Sequence, residues 1–283
     1  MIFYIPTHAK GWILEFLTFD LRKSSPLLHA RSLYINNYFA LIYKFICFPN
    51  SKIVCFSYGF ANYLIKRGFN ERHILLLFTH HKEAIRAKSF NKFFAVLFMN
   101  KKSMNWFFER GLHRGKAYYF PIGYDPTIFK IENNIEKIYD LVVPMKYINK
   151  EENKNYYIRK NYDLVIPLIN NLTNKGFKVC VLGSGWNKCS KLSKRVKKVS
   201  VSHNETPLVY RQSKISLCLS IDEGGFTGTI ESIACGCHIV SHEIGFANDL
   251  KKILPSEVEL IPFLKSEENY VKIIEKSINA YQF

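Results

Sequence analysis

The chain has 283 residues, 48% apolar, 15% aromatic and 22% charged, which is enough for one large or two medium domains with proper cores and excludes a disordered or collagen-like chain. Forty Lys and Arg against 23 Asp and Glu give a net charge of +17, and residues 1–133 hold +12 of it, from 19 basic and seven acidic side chains. The most apolar stretches, 38–48 and 90–99, are about half the ~20 residues of a membrane-spanning helix, so none is expected.

In chain order, 1–6 reads as a strand and 12–22 as a helix entered through Gly11. The apolar start runs into His8 and Lys10 without a basic lead or a small-residue cleavage site, so a cytoplasmic protein without signal peptide is expected. Strands follow at 52–57, 73–79, 93–99 and 117–121, with helices at 61–67 and 103–110 that stop at Gly68 and Gly111 after basic last turns. Around 123–137 the pattern breaks at Pro126 and the polar run Glu132, Asn133, Asn134, which places a domain boundary there, with domains 1–125 and 126–283.

Alternation then restarts. Strands are expected at 140–144, 178–182, 199–201 (an edge strand), 215–220 and 238–241, and helices at 162–174, 207–213, about 229–234 and 268–280. Strands alternating with helices in two successive halves indicate an α/β protein with two parallel sheets and a cleft between domains. The seven cysteines, 47, 55, 180, 189, 218, 235 and 237, lie mostly in apolar runs and form no C-x-x-C pair, so they read as reduced core residues with no zinc site.

The most informative stretch is Ser220-Ile-Asp-Glu223-Gly-Gly-Phe-Thr-Gly-Thr-Ile-Glu231-Ser-Ile-Ala-Cys-Gly236. A strand ends, a turn with Gly224, Gly225 and Gly228 follows, and a helix opens near Thr229. Glycines let backbone N–H groups approach a ligand, and the helix N-terminus beyond them favours an anion such as phosphate. Glu223 before the turn and Glu231 in the first helical turn are suited to accept from sugar or ribose hydroxyls. Alternatively, this is a structural turn with a Glu favoured by the helix dipole.

The seven residues between Glu223 and Glu231, in the context Ser-x-x-Glu-Gly…Glu-Ser-Ile-Ala-Cys-Gly-x-x-Ile-Val, resemble the E-x7-E signature of family 4 retaining nucleotide-sugar glycosyltransferases. Three further segments resemble that family in the same order. They are Pro121-Ile-Gly123-Tyr-Asp125-Pro-Thr-Ile-Phe129, Lys160-Asn-Tyr-Asp-Leu-Val-Ile, and Val181-Leu-Gly183-Ser-Gly185. The match covers about 115–250, and residues 1–114 fit in architecture alone. The resemblance implies the GT-B fold, two Rossmann-like domains with parallel sheets facing a cleft. It also implies a hexosyl-type, retaining, metal-independent transferase that uses a nucleotide-sugar as donor substrate and needs no cofactor.

By the same resemblance Glu231 would bind the donor ribose and Glu223 the transferred sugar. Gly225, Phe226, Thr227, Gly228 and Thr229 would line the diphosphate, with Gly183 and Gly11 nearby. Lys160 aligns with the family's Lys that stabilises the leaving diphosphate. Lys146 stands where the family has Arg, and the segment 149–157 lengthens the loop, so either Lys146 or Arg159 supplies the second cation. His80 or His81, after the strand at 73–79, would touch the sugar, with His80 preferred.

The implied acceptor is a glycan or lipid-linked glycan, and the basic first half makes an anionic membrane surface a further candidate partner, with the protein peripheral on the inner face. Phe90 to Phe108 combines rings with Lys92, Lys101 and Lys102, though its 93–99 part reads better as a core strand. Lys191, Lys194, Arg195, Lys197 and Lys198 read as a solvated face. Nucleic acid is not an expected partner. The competing readings are a glycosyltransferase acting on nucleic acid and a non-catalytic sugar- or nucleic-acid-binding protein that keeps the fold.

Overall fold

Runs such as Ile74–Phe78 and Val179–Leu182 are apolar at every position because both faces of a parallel sheet are covered by helices. A computed structural model describes residues 2–7, 29–34, 50–55, 58–78, 89–121 and 123–281, the first two segments as backbone only. The chain divides into two units, Met1–Tyr124 and Asp125–Phe283.

The first unit holds β1 (Ile2–Thr7), β2 (His29–Tyr34), β3 (Lys52–Cys55), α1 (Tyr58–Lys66), β4 (Ile74–Phe78), β5 (Ala95–Phe98), α2 (Lys101–Phe108) and β6 (Ala117–Tyr119). Its six described strands are parallel, in the order β2-β1-β3-β4-β5-β6. Helix α2 starts where the Asn100 side chain accepts from the Ser103 N–H at 2.7 Å. It buries Phe107 against Phe78, Phe90 and Phe98, with ring centroids 4.5, 4.5 and 4.9 Å away.

The second unit holds β7 (Tyr139–Pro144), α3 (Lys154–Arg159), α4 (Tyr162–Asn174), β8 (Val179–Leu182), β9 (Lys197–Val199), α5 (Thr206–Arg211), β10 (Ser213–Cys218), α6 (Thr227–Ala234), β11 (His238–His242), α7 (Ala247–Ile253), β12 (Val258–Ile261) and α8 (Glu267–Ala280). Its sheet is also parallel, in the order β12-β11-β10-β7-β8-β9. Alternate residues feed two cores. Leu141, Val143, Val179 and Val181 pack with Val165 and Ile169 of α4 and Ile274 and Ile278 of α8. Val142, Cys180 and Leu182 pack with Val209 and Tyr210 of α5 and with Cys235 and Cys237.

This strand order reverses direction between β7 and β10, and in doubly wound sheets ligands bind beyond the carboxyl ends of strands at that point. The β10 end leads directly into the Glu223 loop. The β7 end leads into Met145, Lys146 and Tyr147, a loop backed by two glycines of β8's exit. A Cβ on Gly183 would lie 2.7 Å from the Met145 carbonyl oxygen, and one on Gly185 would lie 2.2 Å from that of Tyr147. Both glycines also have positive φ, 141° and 89°, so sequence and packing coincide there.

Several elements differ from the sequence expectation. The edge strand of the second sheet is Lys197–Val199 and not 199–201, because solvated lysines are tolerated on a sheet edge. Helix α6 begins at Thr227 and not about 229, which moves Glu231 out of the first helical turn into the second. Strand β2, helix α3, helix α7 and strand β12 were not expected at all. β2 is a polar edge strand, β12 an edge strand of only four residues, and α3 and α7 are only six and seven residues long. The helix expected at 12–22 lies outside the described residues. The six described cysteines are buried free thiols, and no helix among the described residues is long and apolar enough to cross a membrane.

Candidate active site

Beyond β10 the chain is stitched to the segment between α3 and α4. The Ile221 N–H donates to the Arg159 carbonyl at 2.8 Å, and the Asn161 side-chain amide donates to the Leu219 carbonyl at 3.1 Å. Asn161 has φ 58°, a left-handed conformation that Asn tolerates better than most residues, and this bend lets α3 run directly into α4. Arg159 and Lys160, the last residue of α3 and its C-cap, are thereby delivered to the Glu223 loop.

There the three charges meet. Lys160 Nζ lies 2.5 Å from Glu223 Oε1, and Arg159 Nη1 lies 2.7 Å from Glu223 Oε2 and 3.3 Å from the Asp222 carbonyl oxygen. Lys160 and Glu223 are buried, with side chains 7% and 10% exposed, while Arg159 keeps 27% of its side chain open. Burial pushes the Glu223 carboxyl up, but the Lys160 and Arg159 charges outweigh it and hold the group below its ordinary pKa. Aromatic faces complete the setting, with Lys160 Nζ 4.7 Å from the Phe226 ring centroid and the Arg159 guanidinium 5.2 Å from that of Tyr156.

Glu231 is buried on α6, and His203 Nε2 lies 3.8 Å from its Oε1. Burial lowers the His203 pKa, opposed by the Asp125 carboxylate, and the imidazole packs 5.1 Å from the Phe129 ring. Asp125 in turn caps its own turn, accepting from the Thr127 N–H at 2.9 Å and the Thr127 hydroxyl at 2.6 Å. The Asp125…Phe129 motif is thus the local support of Glu231's neighbour. Gly228 has an ordinary helical conformation. It serves close packing instead, since a Cβ there would meet the Tyr210 hydroxyl at 3.1 Å and Pro144 at 3.3 Å. Gly225, Phe226 and Thr227 are half-buried and Thr229 is buried.

The structure therefore brings Arg159 and Lys160 to Glu223 and leaves Lys146 exposed on the β7 exit loop, its carbonyl bonded by the Tyr162 hydroxyl. His80, His81 and Gly11 lie outside the described residues. Among the described residues no cluster of His, Cys, Asp and Glu suited to a metal ion occurs.

Three supports were not foreseen. Asn161 is one. His242, fully buried at the β11 end, is another. His242 Nδ1–H donates to the Ser220 carbonyl at 3.0 Å, which leaves Nε2 of the neutral ring to accept from the Tyr270 hydroxyl at 2.8 Å, and that hydroxyl accepts from the Leu264 N–H at 2.9 Å. The third is Gly245, at φ 49°, whose Cα side faces the Glu223 loop so closely that a Cβ would sit 2.0 Å from the Glu223 carbonyl oxygen. A single Gly in a loop gives no sequence signal for such contact. Gly245→Ala should consequently lower the unfolding free energy by ~1–3 kcal/mol, the usual cost of forcing extra volume into a packed site. A wild-type denaturation midpoint in that variant would show that the Glu223 loop needs no backing.

Residues 159–280, which begin at Arg159 and include both glutamates, match a family described as glycosyl transferase-like. No curated protein matches the chain. Among solved structures, sucrose-phosphate synthase from Thermosynechococcus elongatus is similar with a TM-score of 0.70 at 12% identity, covering 99% of this chain and 90% of that one. Anabaena Alr3699/HepE in complex with UDP gives 0.68 at 14% identity, with the same coverages. WaaG, a glycosyltransferase involved in lipopolysaccharide biosynthesis, gives 0.66 at 12% identity, again covering 99% and 90%. At such identities the likeness concerns the fold. The chain has the GT-B fold, and its residues 159–280 are similar to the glycosyl transferase-like family.

Proposed function

We propose that this protein is a retaining, metal-independent, hexosyl-type glycosyltransferase that moves a sugar from a nucleotide-sugar donor to a glycan or lipid-linked glycan acceptor. The observation that carries this reading is the Arg159–Glu223–Lys160 constellation at the β7/β10 switch point, eight positions before the buried Glu231. HepE has been crystallised with UDP and with UDP-glucose, which supports a donor of that chemistry here. In this reading Arg159 and Lys160 face the charge that develops on the leaving diphosphate, the largest demand of the reaction. Glu223 holds hydroxyls of the transferred sugar, and Glu231 those of the nucleotide ribose. Lys146 remains a candidate to approach the donor from the exposed β7 loop.

The acceptor reading draws on the first unit. Arg110 lies 3.6 Å from the Trp106 ring, Arg114 4.8 Å from Phe108 and Lys52 4.5 Å from Phe94, while Phe94 and Tyr118 are 44% and 55% exposed. Such paired rings and cations suit the interface of an anionic bilayer, where a lipid-linked acceptor resides.

Three outcomes test this. Glu231→Ala should keep its melting curve but weaken nucleoside diphosphate binding ~10- to 100-fold by calorimetry, the loss of ~1.5–3 kcal/mol for hydrogen bonds to a charged group. Unchanged affinity would remove the donor assignment. Transfer should be unaffected by EDTA, since two cationic side chains do the work of a metal, and activity restored only by manganese would refute that. Sedimentation with anionic vesicles should succeed at low salt and fail at high salt, whereas equal binding to neutral lipid, or preference for duplex DNA, would reject the membrane reading.

A further inference from the structure

We propose that Glu223 is a stand-in for the donor's diphosphate, occupying Arg159 and Lys160 in the donor-free protein and exchanging with the diphosphate as donor binds and product leaves. This rests on the donor reading above and adds a discriminating step to it. The two roles given to these residues compete in the geometry observed. Each carboxylate oxygen of Glu223 is committed to one cation, Oε1 to Lys160 at 2.5 Å and Oε2 to Arg159 at 2.7 Å. A diphosphate that takes the same cations competes with the carboxylate for their charge, and as the carboxylate yields them its oxygens turn to accept from sugar hydroxyls.

The displaced Glu223 is buried, and a buried charge without partners is costly. A bare diphosphate offers it nothing in return. An intact nucleotide-sugar offers both parts of the exchange, a diphosphate for the cations and hydroxyls for the carboxylate. The pair therefore selects donor over nucleoside diphosphate. It also acts after transfer. Once the sugar has gone to the acceptor, Glu223 loses its hydroxyl partners, returns to Arg159 and Lys160, and competes the diphosphate off. Glu223 is in this sense a specificity-determining residue that resists product inhibition.

The test is titration calorimetry with inorganic pyrophosphate and with a nucleoside diphosphate on wild type, Glu223→Gln and Glu223→Asp, each checked by its melting curve. Glu223→Gln removes the competing charge at nearly constant shape and should bind pyrophosphate ~10-fold or more tightly than wild type, with product inhibition of transfer strengthened alongside. Glu223→Asp, whose shorter carboxylate pairs less closely, should fall between. Equal or weaker pyrophosphate binding by Glu223→Gln overturns the proposal. If Glu223→Gln does not fold, Glu223→Asp decides, tighter binding supporting the exchange and equal or weaker binding overturning it. Should the variants gain pyrophosphate affinity while no nucleotide-sugar binds wild type, the exchange stands and the donor reading falls.

Discussion

A carboxylate buried between two cations is the constraint around which the second unit is organised. Taking Lys160 and Glu223 out of water costs several kcal/mol per ion, and only close geometry offsets it. That geometry is imposed by backbone. The bond from Ile221 to the Arg159 carbonyl, the Asn161 bend and the contact of Gly245 with the Glu223 carbonyl each fix one side of the triangle. The Tyr270–His242–Ser220 relay fixes the strand end from which the loop departs. These supports arise from α3, α4, β11 and α8, so much of the unit's chain serves to hold one charge cluster.

The loop itself was legible from sequence because glycines and carboxylates at fixed spacing have few uses, and Gly183-Ser-Gly185 resembled the family's segment in the right order. The pairing of Arg159 with Glu223 was not. The resemblance leaves Lys146 and Arg159 both open, because the extra segment 149–157 reads as loop. In the structure Asn153 caps a short helix there, accepting from the Tyr156 N–H, and this turns Arg159 toward Glu223. A six-residue helix containing Tyr and Ile carries little periodicity, and its direction is set by contacts with residues 60 positions away. Gly245 and His242 escaped notice for the same reason, since their importance lies entirely in what packs on them.

Elements were easiest to place where both sheet faces are covered, as in β4, β7, β8 and β10, and hardest at the edges. β2, with His29, Arg31 and Ser32, has a composition that does not distinguish a strand from a loop, and β12, Val258–Ile261, is too short to show a pattern, until a neighbour supplies hydrogen bonds. The start of α6 was displaced because Gly228 reads as part of a flexible turn, whereas its missing side chain is what lets the helix approach Tyr210 and Pro144.

The cysteines lead to a practical property of the chain. Burial pushes the Cys180, Cys235 and Cys237 thiols up to about 12 and Cys218 to about 11, and raises Cys55 in the first unit as well. At neutral pH these sulfurs are un-ionised and shielded, so alkylating reagents meet neither nucleophile nor access while the cores are closed. Each becomes reactive only when its own core opens. Cys55 thus reports breathing of the first sheet and Cys180, Cys235 and Cys237 that of the second, a labelling clock for each unit that requires no engineered probe.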